Sequence, residues 1–590
     1  MLNRYSLTLL VASMAILPLF SASAQRVSAD GALQTFNVFS EQYFTEVYFK
    51  FSPTAGTSAG LHQYDSQLED YSAAGVQRQV AALHEWEKKI ASIEPSELDA
   101  EPAADREILL NSIRASLLRL EVVRGWEKNP DNYSSGVTGS IFSIMERPYA
   151  PANVRLRAVV ARERLIPQVF VEARKNLKNP PKVYTEIAVE QIDGLVSFFQ
   201  TDVPAAFADA TDAKAKADFA QSNAAVIAAL KSYGDWMKSD LLPRSNGDFR
   251  YGAETFRKAL ADNEMVDIPL ERLLEIGYAD LHKNQAEFAR VAKEIDPSKT
   301  PEQELAELAT LHPAPDKLLA TFHNTFDSLI GFIQTKHIIT IPSDVQPTLE
   351  ETPPFMRATT QASMDPPGAF ETGSTKAYFN VTLPEKGWAP ERVAEHMAAF
   401  NVGTIVSTSV HEAYPGHYVQ FLWQPQFPSK IRKLLGASTN IEGWAHYCEQ
   451  MMLDEGYAAA TAKTEREAKL IRLGQLQDAL LRDARFIVCI RMHTGVGGTM
   501  TTSEAEAFFV KEGYQSHAIG QMETKRGTAD ALYLYYTLGK LEILKLRADV
   551  KAKQGAAFDL QEFHDDFMRQ GFAPIKVIRK AMLHDDSPVL

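Results

Sequence analysis

The segment Val410-His411-Glu412-Ala413-Tyr414-Pro415-Gly416-His417-Tyr418 holds the residues best suited to chemistry in this chain. Two histidines with a glutamate beside the first approach the H-E-x-x-H pattern. There, two imidazoles one helical turn apart ligate zinc and the glutamate acts as general base. Here the second histidine follows the first by six residues, not four. On an undistorted helix six residues rotate about 600°, which leaves the two side chains about 120° apart and unable to close one metal site. Pro415 changes that expectation. Its ring clashes with the carbonyl four residues back, that of His411, and removes a hydrogen bond. Gly416 then tolerates backbone angles that other residues avoid. The Pro-Gly pair is expected to distort the helix and swing His417 back to the metal. The competing reading is two ordinary histidines at the end of a core helix.

A second segment, Asn440 to Glu449, resumes a helical pattern. Glu442 lies 25 residues after His417 and is placed to complete a His-His-Glu site; the alternative is an acid favoured near a helix N-terminus. His446 lies one turn beyond Glu442, as an alternative ligand or as the partner of one. Glu449 lies two turns on, facing the same side, and competes for the same roles.

Most of the chain reads as helix. Val76, Val80, Leu83, Trp86, Ile90 and Ile93 step by three or four, as do Leu109, Ile113, Leu117 and Leu120. Similar stripes cover Val154–Leu177, Ala217–Leu242, Leu270–Ile295 and Leu318–Ile333. Between about Lys336 and Leu383 the pattern changes. His337–Ile341 and Ala377–Thr382 are rich in β-branched and aromatic residues and are predicted strands, separated by the turn signals Pro353-Pro354 and Asp365-Pro366-Pro367-Gly368. The expectation is a mainly α protein with a small inserted sheet beside the metal site. The parts are 25–335, helical, and 336–590, catalytic, joined in one unit.

Acidic residues outnumber basic ones by 75 to 61, and 45% of the chain is apolar. That composition argues against a disordered, collagenous or disulfide-stapled chain, and the acid excess argues against nucleic-acid binding. Residues 1–24 have the basic start, apolar run and small-residue end of a signal peptide, with cleavage expected after Ala24. The alternative is an uncleaved anchor. No cysteine stands at the cleavage point, which argues against a lipid anchor, and no later segment is apolar enough to span a bilayer. An exported, periplasmic product follows. Export would permit a Cys448–Cys489 disulfide, although both sit in apolar helical patterns where an unpaired cysteine behaves as a small hydrophobe.

These motifs resemble those of the bacterial "domain of unknown function 885" family, grouped with zincin-like metallopeptidases. The resemblance rests on His411–His417 as H-E-x-x-P-G-H, on Glu442-Gly443-Trp444-Ala445 with Tyr447 and Glu449, and on Arg526-Gly527-Thr528 with Tyr533–Leu541. Weaker matches are Gly60–Asp65 and Phe563-His564-Asp565. The resemblance implies His411, His417 and Glu442 as zinc ligands and Glu412 as base, and it disfavours His446. One departure is Asp530-Ala531, where the family has Asp-Pro. Resemblance to helical gluzincins such as carboxypeptidase Taq further implies a deep cleft between the N-terminal and C-terminal parts, admitting a peptide or small amide.

The implied chemistry is amide hydrolysis with one zinc ion. Two neutral imidazoles and a carboxylate leave a position for water and lower its pKa towards ~7, and Glu412 would move the proton from water to the leaving amine. Tyr536, then Tyr533, is the expected donor to the carbonyl oxygen, with simple packing as the alternative. Arg485, Arg491, His493 and Arg526 are candidates to orient acidic groups, line the pocket or clamp a terminal carboxylate; structural ion pairs are the rival reading. Tyr378 and Asn380, within Ala377–Thr382, would offer an exposed edge to an extended peptide. Two other functions compete: a non-haem iron enzyme using the same two-His-one-carboxylate set, and a periplasmic binding protein without catalysis. The base beside His411 argues against iron oxidation.

Overall fold

The computed structural model describes residues 19–357 and 360–590, with side chains from residue 31 onward. The signal-segment reading falls largely on residues outside this range; its expected cleavage point lies in the helix Leu19–Tyr43. The chain is mainly helical, with one small three-stranded sheet. No helix among the described residues is long and apolar enough to cross a membrane.

The elements around the candidate site begin with helices α1 (Asp131–Met145), α2 (Lys182–Ser197) and α3 (Leu270–Ile295). Strands β1 (Thr348–Glu351), β2 (Ala362–Asp365) and β3 (Tyr378–Val381) follow. Helices α4 (Val402–Glu412), α5 (His417–Trp423), α6 (Ser438–Asp454), α7 (Glu465–Thr494), α8 (His517–Ala529) and α9 (Tyr535–Gln554) complete the set. The apolar stripe of Leu270–Ile295 forms one helix, as predicted. That of Val154–Leu177 forms two, Ala152–Glu163 and Ile166–Asn176, because Pro167 fits the first turn of a helix and not its interior.

Sheet order is β1-β3-β2, with β1 parallel and β2 antiparallel to β3. The predicted strand at Ala377–Thr382 is therefore the central strand, fully buried, and it offers no edge. The unpaired edges belong to β1 and β2, whose Thr-Leu-Glu-Glu and Ala-Ser-Met-Asp sequences have little strand character of their own. The predicted strand at His337–Ile341 is not a strand. Its backbone is satisfied by side chains: the Ile338 carbonyl accepts from His564 Nδ1 (2.6 Å), the Thr340 N–H donates to Asp565 (2.9 Å), and the Thr340 carbonyl accepts from the Trp423 indole (3.0 Å). Burial of Ile338 and Ile339 explains the apolar run.

One core joins Phe36–Leu117 to the sheet, α4–α6 and the C-terminal helices; a second joins Phe256–Leu308 to α7 and the start of α9; a third belongs to residues 133–241. Two glycine contacts set helix spacing at the site. A β-carbon on Gly443 of α6 would stand 2.5 Å from the Cα of Gly539 on α9, and one on Gly539 would overlap the Thr439 carbonyl. Likewise Gly403 of α4 lies against Gly474 of α7. Gly539→Ala is expected to destabilise the fold by about 1–3 kcal/mol through overpacking. Gly331→Ala, on an exposed helical position with open space around it, should be neutral or stabilising by up to about 1 kcal/mol. Denaturant midpoints of the two variants check the contrast.

Candidate metal centre

Helix α4 ends at Glu412 and a new helix starts at His417. Between them the Gly416 N–H returns to the Val410 carbonyl (2.9 Å), so close that a β-carbon on Gly416 would overlap the carbonyl oxygens of both Val410 and His411. Only glycine fits. Helix α6 secures the break: the Trp444 indole donates to the Pro415 carbonyl (2.9 Å). The expected swing of His417 is observed, by interruption of the helix rather than by bending. The His411 and His417 rings lie 4.8 Å apart at 87°.

Glu442 Oε2 stands 3.4 Å from His411 Nε2 and 3.3 Å from His417 Nε2, yet it has no hydrogen-bond partner. Ligand atoms bound tetrahedrally at about 2.0–2.1 Å from zinc sit about 3.3 Å apart. The donor set, two imidazoles and a carboxylate aimed at one point, thus fits a zinc ion in both identity and spacing. The local field favours a cation. Burial pulls His411 down, but the neighbouring Glu442 and Glu449 carboxylates push it up to about 9. Despite burial, the imidazoles hold Glu442 well below the usual carboxylate range.

Glu449 holds His411 from behind. One oxygen accepts from His411 Nδ1 (2.7 Å) and from Arg482 (3.0 Å), and the other from His446 Nδ1 (3.1 Å). His411 therefore turns Nε2 towards Glu442. His446 is fully buried behind the cluster, pushed down to about 3 chiefly by burial, so it is neutral and positions Glu449. The N-terminus of α6 is capped by Glu264, which accepts from the N–H and hydroxyl of Thr439 (both 2.8 Å).

The cluster opens on a cavity of about 770 Å³. Its walls come from the N-terminal half (Asp131, Tyr184, Gln191), from Thr360–Met364, which runs into β2, and from α7, α8 and α9. Glu412 lines it, and its carboxylate makes no hydrogen bond or ion pair among the described residues. Tyr536 lines it too, with its ring 6.2 Å from that of His411. Its hydroxyl accepts from Arg526 (3.0 Å), which leaves the O–H free to donate. Burial raises Tyr536, with Arg526 opposing, so it remains a neutral phenol.

Other candidates lie elsewhere. Tyr533 is wholly buried, sealed under Gly527. His493 is buried among Phe249, Tyr251 and Phe256 and bonds the Gly527 carbonyl (2.8 Å). Arg491 turns to Tyr278 and the Gly498 carbonyl. Tyr378 and Asn380 are buried in the central strand, the tyrosine hydroxyl on the Glu146 carbonyl. Arg485 does line the cavity, in a two-point ion pair with Glu523 (2.6 and 2.7 Å). Cys448 and Cys489 are free and buried, with no disulfide between them. Sequence reading missed Arg482, Glu523 and β2. Arg482 sits one turn before Arg485 and Glu523 one turn before Arg526, the only local signal available.

A mainly helical chain with a small sheet edging a buried His-His-Glu cluster is the class this geometry defines. The chain belongs to the family described as bacterial protein of unknown function (DUF885), which matches residues 53–582. Two solved structures share the fold. A lipoprotein candidate of unknown function from Shewanella oneidensis has a TM-score of 0.75 at 27% identity, covering 93% of this chain and 99% of its own. A lipoprotein candidate from Colwellia psychrerythraea has a TM-score of 0.74 at 19% identity, covering 95% and 99%. No curated protein matches.

Replacing Glu449 by Gln removes the charge that orients His411. Zinc affinity, measured by competition with a chelating dye, is expected to fall about 10- to 100-fold.

Proposed function

We propose that this protein is a zinc-dependent hydrolase cleaving amide bonds in short peptides. The observation that carries the reading is the convergence of His411 Nε2, His417 Nε2 and Glu442 Oε2 beside an uncommitted Glu412 facing the same cavity. A zinc ion held there would polarise both a water molecule and the scissile carbonyl. Glu412 takes the water's proton as the C–O bond forms and delivers it to the leaving nitrogen as the C–N bond breaks. The Tyr536 hydroxyl donates to the carbonyl oxygen as its negative charge develops. The free edge of β2 gives an extended peptide backbone a row of hydrogen-bonding partners along the cavity wall. An iron site would use the same three ligands but has no role for Glu412.

Export fits this reading. Residues 1–24 have the pattern of a signal peptide, and the two solved relatives are described as lipoprotein candidates. A cavity of about 770 Å³ admits short peptides and excludes folded proteins.

Glu412→Gln is expected to retain one zinc per chain while turnover of a mixed peptide library falls about 10²–10⁴-fold. Full activity in that variant would remove Glu412 as the base. Tyr536→Phe should lower kcat by about 10²-fold with little change in zinc content, checked by parallel kinetics and metal analysis.

A further inference from the structure

Resting on the reading of the cavity as a peptide-cleaving site, we propose that Arg526 binds the substrate's C-terminal carboxylate. The enzyme then removes one or two residues from a free C-terminus.

Four cations line the cavity: Arg482, Arg485, Lys525 and Arg526. Three are committed. Arg482 pairs with Glu449 at 3.0 Å and bonds the Asp478 carbonyl at 3.0 Å. Arg485 holds Glu523 through two hydrogen bonds, both partners buried. Lys525 holds both oxygens of Glu190 at 2.8 Å. Arg526 differs. Its one side-chain hydrogen bond goes to a neutral acceptor, the Tyr536 hydroxyl (3.0 Å). The nearest carboxylate oxygen, Asp530 Oδ2, is 3.7 Å away and already accepts from the Tyr535 hydroxyl (2.7 Å). A guanidinium is a fork that matches a carboxylate in two parallel hydrogen bonds. Here it faces the cavity with its side chain 27% exposed and without such a partner.

Its position sets the cleavage point. Tyr536 bridges Arg526 to the His-His-Glu cluster, bonded to the first and with its ring 6.2 Å from His411. An extended peptide advances about 3.3–3.6 Å per residue. Arg526 Cζ lies 5.8 Å from the Tyr536 ring centre and that ring 6.2 Å from His411, so a carboxylate seated on Arg526 is within about two extended residues of the cluster, which puts the first or second peptide bond from the C-terminus there. Hydrolysis consumes one water and yields a shortened peptide with a new carboxylate plus a free amino acid or dipeptide. A chain continuing past Arg526 would set a neutral amide against this cation, so internal bonds are disfavoured.

The test uses N-acetylated peptides of one sequence, as free acid and as C-terminal amide, with the full-length zinc-loaded protein. Cleavage within two residues of the C-terminus is expected, with kcat/KM about 10- to 100-fold higher for the acid. Arg526→Gln should erase that preference, mainly through KM, while Arg526→Lys restores part of it. Binding of the same pair to Glu412→Gln protein, by calorimetry, should show the same preference without turnover. Equal cleavage of acid and amide, or internal cleavage that Arg526→Gln leaves unchanged, overturns the carboxylate site but leaves the hydrolase. No cleavage with an intact acid preference in binding overturns the hydrolase but leaves the carboxylate site. Neither cleavage nor preference overturns both.

Discussion

Where α4 stops, the Gly416 N–H bonds back to the Val410 carbonyl with no room for a side chain between the two backbones. This reversal cancels the six-residue offset between the histidines. It costs the helix its continuation, and the buried Pro415 carbonyl finds its partner in the Trp444 indole. Glu442 and Trp444 lie two residues apart on α6, so the helix that locks the reversal also presents the third donor. Gly443 between them lets α6 approach α9, which carries Tyr536. One short motif thus sets the place of Glu442, a helix crossing and a lock.

Around this frame several buried charges are paired. Glu449 is shared by His411, His446 and Arg482. Arg485 holds Glu523, and Lys540 holds Asp280 beside Asp483. Removing one partner of a buried pair leaves an uncompensated ion and costs about 3–5 kcal/mol. Such pairs fix side-chain positions in the cavity wall. Against that background Glu412 faces the cavity with no charged partner among the described residues, the Tyr536 O–H is free to donate, and Arg526 has only a long ion pair to Asp530 at 3.7 Å.

Several placements were legible from residue type and spacing. His411, Glu412, His417 and Glu442 share one motif pair, and local backbone rules predicted that Pro415 and Gly416 would break the helix. Other roles were not. Tyr533 and Tyr536 lie three residues apart in one tyrosine-rich stretch, yet one packs under Gly527 and the other faces the cavity. His493, Tyr378 and Asn380 have the chemistry of site residues and are buried away from it. The β2 segment gave no strand signal, because pairing with β3 and not its own propensity makes it a strand.

Sequence alone determined the class of fold and the place where the helix must break, since periodicity and proline sterics act over a few residues. Tertiary structure decided which glutamate joins the two histidines and which stands behind His411, which strands lie at the sheet edges, and which cavity arginine has only a long ion pair. Those outcomes depend on groups up to hundreds of residues apart, such as Glu264 capping the helix of Glu442. Only packing tells a partnered charge from a free one.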